Sequence, residues 1–327
     1  MRPFRYSRAS TPAEAVALAT GDPNSAYVAG GTELLNVMKD GVQAPGLVID
    51  INAVPLAGLE VTDGGMRIGA LARMTDVARD PAVRERFPVL CQALLASASG
   101  QVRNMASVGG NLMQRTRCWY FRDATLPCNT RAPGSGCPAI GGENRWHAVL
   151  GGSEACIKVH PSDLAVALTA LDATVLTLGP DGPRHIPIAE FYLLPGATPH
   201  LETALRPGEL MVGVDIPATP MAARSSYAKV RDRASFEFAL VSVAAALQVR
   251  GGTVTDARIV LGGVAPRPWL AREAREALLG GKLTEASLDA AADAAVRTAV
   301  PRAHNAFKID LVRRVVRRAL AELGGEQ

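Results

Sequence analysis

Two kinds of residue in this chain have the types and spacing to do chemistry: clustered cysteines and paired glycines. Cys118, Cys128, Cys137 and Cys156 fall within 39 residues, separated by nine, eight and eighteen. Disulfide frameworks belong to short secreted chains, so in a chain of 327 residues with no apolar leader metal or cluster ligation is the better starting point. The gaps match neither the paired C-x-x-C of a zinc ribbon nor a bacterial ferredoxin run. Spacing therefore leaves structural zinc and an iron–sulfur cluster both open. Core thiols fit poorly, because Arg117, Arg122, Arg131 and Glu143 share the segment. Cys91, inside the apolar run VLCQALLA, reads as a buried structural thiol.

The paired glycines are Gly30-Gly31 and Gly109-Gly110. Successive glycines let backbone N–H groups approach a ligand with no side chain in the way, and a helix start beside them favours an anion. Two such turns suit the two phosphates of a dinucleotide. Glycine pairs also simply make turns, and among 31 glycines that alternative stays open. Gly134-Ser135-Gly136-Cys137-Pro138-Ala139 fits G-x-G-x-x-A but follows no strand, so it is a decoy. Lys229 stands alone in a 123-residue stretch without another lysine, either a solvated side chain or an anion's partner. His160, before Pro161, reads as structural, and His147 has no evident catalytic partner. No Ser/His/Asp arrangement, HExxH, Walker loop or paired-carboxylate motif occurs.

The elements that must position these residues follow from composition and pattern. With 48% apolar and 20% charged residues and mean hydropathy +0.12, the chain is globular, and its length suggests two domains at roughly 150 residues each. Net charge is only +4 and the arginines are scattered, which argues against nucleic acid. No apolar run nears the ~18 residues of a membrane span. Thr11, Pro12 and Glu14 sit as N-cap, N1 and N3 of a first helix. A compact unit follows: a strand at 26–28, the Gly30-Gly31 turn, a helix capped by Thr32 and stopped at Gly41, and a strand Leu47–Ile51. A hairpin turns at Asp63-Gly64-Gly65, and residues 74–98 are helical with breaks near Pro81 and Pro88. Residues 113–156 lack apolar periodicity; an irregular stretch that long is functional or held by something. Ser162-Asp163 caps a helix, and strands at 173–178 and Leu210–Ile216 precede a boundary near 220. Strands Tyr227–Val230, Leu240–Val249 and Val254–Gly262 and two closing helices complete the chain. The last helix sets Phe307, Leu311, Val315 and Leu320 against an arginine face, read as solvated.

Several of these motifs resemble one family. Ala29-Gly30-Gly31-Thr32-Glu33-Leu34-Leu35 resembles the AGGT(D/E)LL flavin-pyrophosphate motif of the FAD-binding subunit of molybdenum hydroxylases, the xanthine dehydrogenase family. Ala106-Ser107-Val108-Gly109-Gly110-Asn111-Leu112 is similar to its second motif, and Ser162-Asp163-Leu164 to its SDL, whose aspartate lies at the flavin site. Leu210-Met211-Val212 resembles the strand near the isoalloxazine, and Lys229 a lysine near the flavin. The insertion carrying Cys118, Cys128, Cys137 and Cys156 is similar to a smaller branch, the flavin subunits of periplasmic aldehyde oxidoreductase and of 4-hydroxybenzoyl-CoA reductase, where the loop binds a [4Fe-4S] cluster.

The resemblance implies a vanillyl-alcohol-oxidase-type FAD-binding α/β domain over 1–220, with the cysteine-rich insertion at about 113–156, then a smaller α+β domain of CO-dehydrogenase-flavoprotein type over 221–327. It implies FAD held by Ala29–Leu35, Ser107, Gly109, Gly110 and Asn111, with Asp163, Leu210, Lys229 and the Leu193-Leu194 loop towards the ring, and a cluster on the four cysteines. The expected role is the electron-output subunit of a three-component aldehyde oxidoreductase. A large partner would carry the molybdenum cofactor and a small one two [2Fe-2S] clusters, and electrons would leave through FAD to an external acceptor. The expected compartment is the periplasm, reached on a partner's twin-arginine signal, or else the cytoplasm. Competing expectations are a reductase or xanthine dehydrogenase subunit and a flavin-free scaffold stapled by zinc.

Overall fold

The computed structural model describes residues 1–325. The compact unit near the N-terminus is a three-stranded parallel sheet in which Leu47–Asp50 lies between Arg5–Arg8 and Ser25–Val28. The middle strand is an apolar run because both of its faces are covered. Helix Pro12–Gly21 connects two of the strands, and the Thr11 side chain accepts from Glu14 N–H as the N-cap pattern requires. The next helix is short, Leu34–Lys39, and its N-cap is Glu33 with no side-chain cap bond. Thr32, expected as the cap, does not cap this helix.

A second sheet has five antiparallel strands in the order Leu59–Thr62, Gly65–Gly69, Leu210–Pro217, Thr174–Gly179, Gly182–Pro187. Helices Met74–Arg79, Pro81–Arg86 and Pro88–Ala96 break at the two prolines, each of which occupies a first-turn position where its missing N–H costs nothing. With helix Asp163–Ala170 they build the main core around Phe87, Leu90, Leu94, Leu164 and Phe191. Residues 113–156 hold one four-residue helix, Trp119–Arg122, and otherwise no regular element.

The third sheet, ordered Trp269–Leu270, Thr253–Gly262, Val241–Arg250, Ser225–Val230, is antiparallel and covered by helices. Three helices follow it, Arg272–Leu278, Glu285–Ala294 and Phe307–Gly324, one more than the pattern suggested. Arg272–Leu278 is too short and too charged to announce itself by periodicity. In the last helix the buried seam runs through Val312, Val315, Val316, Ala319 and Leu323, leaving Phe307 and Leu311 at its edge. Three of its four arginines pair with neighbouring carboxylates, Arg317 with Asp289, Arg318 with Glu322, and Arg313 with Asp293 and Asp310, while Arg314 is exposed.

The irregular segment is held by both halves of the molecule. Val149 and Leu150 both donate to Val264 O at 3.0 Å, and Val149 O accepts from Val300. At its other end Glu33, in the first glycine turn, pairs with Arg117 at 2.6 Å and Arg122 at 2.5 Å and accepts from Arg115 N–H.

Candidate functional site

Both glycine turns open on one cavity of about 400 Å³. Ala29, Gly30, Gly31, Thr32, Glu33 and Leu34 line it from the first turn, Ser107 and Gly110 from the second. The turns touch: Gly30 packs directly on the Met105 carbonyl, where a side chain has no room. Gly31 has φ +71°, the left-handed region that glycine adopts without strain. The amides of Gly30, Gly31, Thr32 and Glu33 donate to no protein acceptor among the described residues. A run of free N–H groups is a ready anion cradle.

The second turn departs from the expectation that its amides are also free. Gly109 N–H donates to Ala70 O at 2.8 Å, and Gly110 N–H to Ser107 Oγ at 3.1 Å. Residues Val108–Leu112 form a short helix whose first amides are thus taken up by its Ser107 cap and by the Ala70 carbonyl. Gly109 packs against Ala70 and lines no cavity; its lack of a side chain is a matter of close approach. Asn111 accepts from Ser162 Oγ at 2.6 Å, tying this helix to the cap of Asp163–Ala170. Leu35 is exposed and lines no cavity, and Leu210 is buried in the core beside the parallel sheet. Leu193 and Leu194 also line neither cavity.

A second cavity, about 290 Å³, adjoins the first through the shared residues Thr116, Val159 and His160. Asp163 stands on its wall, with Trp119, Trp146 and Phe238 at its rim. Lys229 does not line it but lies behind Asp163, with Nζ 2.8 Å from Oδ2. The pair is almost fully buried, at 4% and 6% side-chain exposure, and Asp163 also accepts from Tyr227 Oη at 2.5 Å and Ser97 Oγ at 3.0 Å. Burial, then the charge of Asp163, drives the Tyr227 phenol far above its ordinary range, so it stays a donor. Breaking a buried ion pair strands its partner. Lys229→Met is expected to cost about 3 kcal/mol, read as a lower Tm of the copurified complex.

His160 was unremarkable in the sequence, yet it separates the two cavities. Its ring packs at 4.2 Å on Tyr192, and its Nε2 is sealed from solvent with no partner. Burial, reinforced by the Lys158 ammonium, pushes it down to about 3. An unfolded histidine binds its proton near 6.5. The unfolded chain is then the more protonated state between those values, so stability falls as pH drops through that window. The slope reaches at most about 1.4 kcal/mol per pH unit. Thermal unfolding of the complex between about pH 4 and 6.5 checks this: His160→Phe is expected to flatten the pH dependence, and an unchanged slope contradicts it.

All four clustered cysteines line a third, small cavity, about 10 Å³ across its accessible space. They are unpaired thiols. Burial raises Cys118 to about 12. Cys156 is lowered to about 6, chiefly by the thiol of Cys137, which donates to it, and also by Lys158 N–H and the Thr130 hydroxyl. Cys137 keeps its proton and is raised correspondingly. His147, 2% exposed, lies with Nε2 3.1 Å from Cys118 Sγ, and burial and then Lys308 push its ring down to about 4. Among the described residues no three His, Cys, Asp or Glu are arranged to hold a single metal ion. Cys91 lies apart, its thiol on Ala78 O, as its apolar helix implied.

Residues 2–219 match the family described as FAD binding domain in molybdopterin dehydrogenase, and residues 225–323 the CO dehydrogenase flavoprotein C-terminal domain. The chain is 51% identical to the aldehyde oxidoreductase FAD-binding subunit PaoB of Escherichia coli K12, over 98% of each chain. It is 28% identical to the glyceraldehyde dehydrogenase medium chain of Sulfolobus acidocaldarius, over 86% of this chain and 83% of that one. Among solved structures, carbon monoxide dehydrogenase from Hydrogenophaga pseudoflava superposes with TM-score 0.76 at 29% identity, covering 98% of both chains. The chain therefore belongs to the FAD-binding medium subunits of the molybdenum hydroxylases, a family of oxidoreductases, with a mixed α/β FAD-binding domain followed by a CO-dehydrogenase-flavoprotein C-terminal domain.

Proposed function

We propose that this chain is the FAD- and [4Fe-4S]-carrying electron-transfer subunit of a heterotrimeric, molybdenum-dependent aldehyde oxidoreductase. The observation that carries the reading is the adjacency of three cavities: one with free backbone amides, one walled by Asp163, and one ringed by four thiols. Identity of 51% to an aldehyde oxidoreductase subunit over nearly the whole chain supports the aldehyde in that reading.

The residues fit both groups. The amides of Gly30 to Glu33 would hold the diphosphate, with Ser107 and Gly110 closing the other side. The bipartite cavity, bent at His160, suits an elongated ligand with a polar middle and a planar end. Asp163, fixed by Lys229, Tyr227 and Ser97, would face that planar end. When bound, FAD supplies the redox chemistry, taking electrons from the partner subunits and passing them to an external acceptor. Cys118, Cys128, Cys137 and Cys156 would hold the cluster. A single tetrahedral ion draws its thiolates together at Zn–S of about 2.3 Å, whereas a cluster takes one cysteine per iron and keeps them apart. Four cysteines line one cavity, one for each iron that a [4Fe-4S] cluster would bring.

Within this proposal the large subunit carries molybdenum and the aldehyde site, the small one [2Fe-2S] clusters, and the assembly works in the periplasm. No helix of the described residues is long and apolar enough to cross a membrane. The test is metal and flavin analysis of the copurified complex. Near-stoichiometric FAD, four irons and four sulfides beyond those of the partner clusters support the reading; zinc without iron or flavin overturns it.

A further inference from the structure

The thiol cavity and the Asp163 cavity share a wall made of three residues, Thr116, Cys118 and His147. Cys118 is thus the only one of the four cysteines that borders the larger cavity, and His147 is the side chain in contact with its sulfur, at 3.1 Å. The position of that ring is fixed from outside the cysteine-rich segment. The His147 carbonyl accepts from Lys308 Nζ at 3.1 Å, and Lys308, with no exposed surface, gives a second bond to Gly263 O at 2.7 Å. Asn305 Nδ2 donates to the next carbonyl, Ala148 O, at 3.1 Å. His147 N–H closes on Asn144 O at 2.9 Å. A buried lysine of the C-terminal domain thereby holds the backbone of the residue whose ring meets Cys118.

The tautomer follows from the chemistry. A ligating cysteine is a thiolate and has no proton to give, so the proton between Nε2 and Sγ must sit on nitrogen. Nδ1 is then an acceptor, and it is buried with no partner among the described residues, which suits a lone pair better than an N–H.

We propose that His147 is a positioning residue that donates its Nε2–H to the Cys118 sulfur and thereby raises the reduction potential of the cluster on the side facing the Asp163 cavity. This rests on the reading of the four cysteines as cluster ligands. Hydrogen bonds to cluster sulfurs favour the more negative, reduced form, which is how protein surroundings set these potentials.

The experiment uses the whole complex with His147→Leu, which keeps bulk without a donor, and His147→Gln, which returns an amide N–H at similar reach. Iron, sulfide and flavin are measured first, then the cluster midpoint by redox titration followed by electron paramagnetic resonance. H147L is expected to keep its iron and flavin while its midpoint falls by at least the equivalent of a tenfold change, about 59 mV for one electron. H147Q should recover most of that shift. An unchanged midpoint in H147L with full iron overturns the proposal. If H147L cannot hold iron, H147Q decides: full iron with a wild-type midpoint supports the donor role, and a lowered midpoint or lost iron overturns it and leaves the ring a structural prop. Absence of this cluster's iron from the wild-type complex fails the underlying cluster reading, a result the unmodified protein reports by itself.

Discussion

Gly30→Ala is expected to strip the flavin from the protein. A Cβ at this position would be driven into the Met105 carbonyl, 2.7 Å from its carbon, and toward Arg73 Nη1 at 3.3 Å. Neither neighbour is free to yield. The Met105 carbonyl already accepts from Arg73, and Met105 lies two residues before Ser107, whose side chain caps the second motif. Relief would require the two turns to separate, pulling the free amides of residues 30–33 away from Ser107 and Gly110. Overpacking of this kind costs about 1–3 kcal/mol, and charged to flavin binding that is roughly a ten- to hundredfold loss of affinity. Flavin released by acid from the purified complex measures it. Gly100→Ala is the control: Gly100 opens an exposed helix with nothing near its added carbon, and should keep full flavin. A fully flavinated G30A complex would mean that the first turn is only a turn.

The second large effect concerns the thiols. On the proposed cluster reading, Cys118→Ser is expected to bring the iron and sulfide of this subunit close to zero while leaving FAD in place. Serine is a hard oxygen donor with a high pKa, poorly matched to iron in a sulfide cluster. The loop itself should persist, because its fold is carried by other bonds: Arg131 on the Tyr120 and Phe121 carbonyls, Asn129 on Ala155 O and Gly136 N–H, and Glu33 on Arg117 and Arg122. Cys91→Ser should leave iron unchanged, since that thiol faces only Ala78 O in a helix far from the cavity. Unaltered iron in C118S would remove Cys118 from the ligand set, and with it the contact on which the role of His147 depends.

The two effects are separable because the cavities are distinct but joined. Lys158 lines both the glycine-turn cavity and the thiol cavity, and pairs with Glu202 at 2.9 Å while its backbone N–H meets Cys156 Sγ at 3.5 Å. Lys158, Glu202 and Arg115 thus form a charged partition between the two cavities, and the carboxylate of Glu202 compensates a lysine at 5% exposure.

Local chemistry made much of this protein readable from its order of residues. Thr11 and Ser162 cap helices because a short hydroxyl side chain can reach an amide one turn on, whatever the fold. Pro81 and Pro88 start helices because they lack an N–H, and Gly31 and Gly41 turn the chain because only they adopt positive φ at no cost. What sequence order left open was decided by contacts distant along the chain. Lys229 could have been a solvated cation; burial beside Asp163, 66 residues away, made it half of an ion pair. The Gly109 amide looked free until strand Gly65–Gly69 brought Ala70 O within reach. His147 acquired a partner only when the C-terminal helix delivered Lys308 to its carbonyl and the loop folded Cys118 against its ring. Most caps and turns are settled within a few residues, where chain geometry fixes which atoms meet, although Thr32 reads as a cap in the sequence and is not one. A side chain's charge state, partner and exposure depend on which remote surface covers it, and only the packed structure supplies that surface.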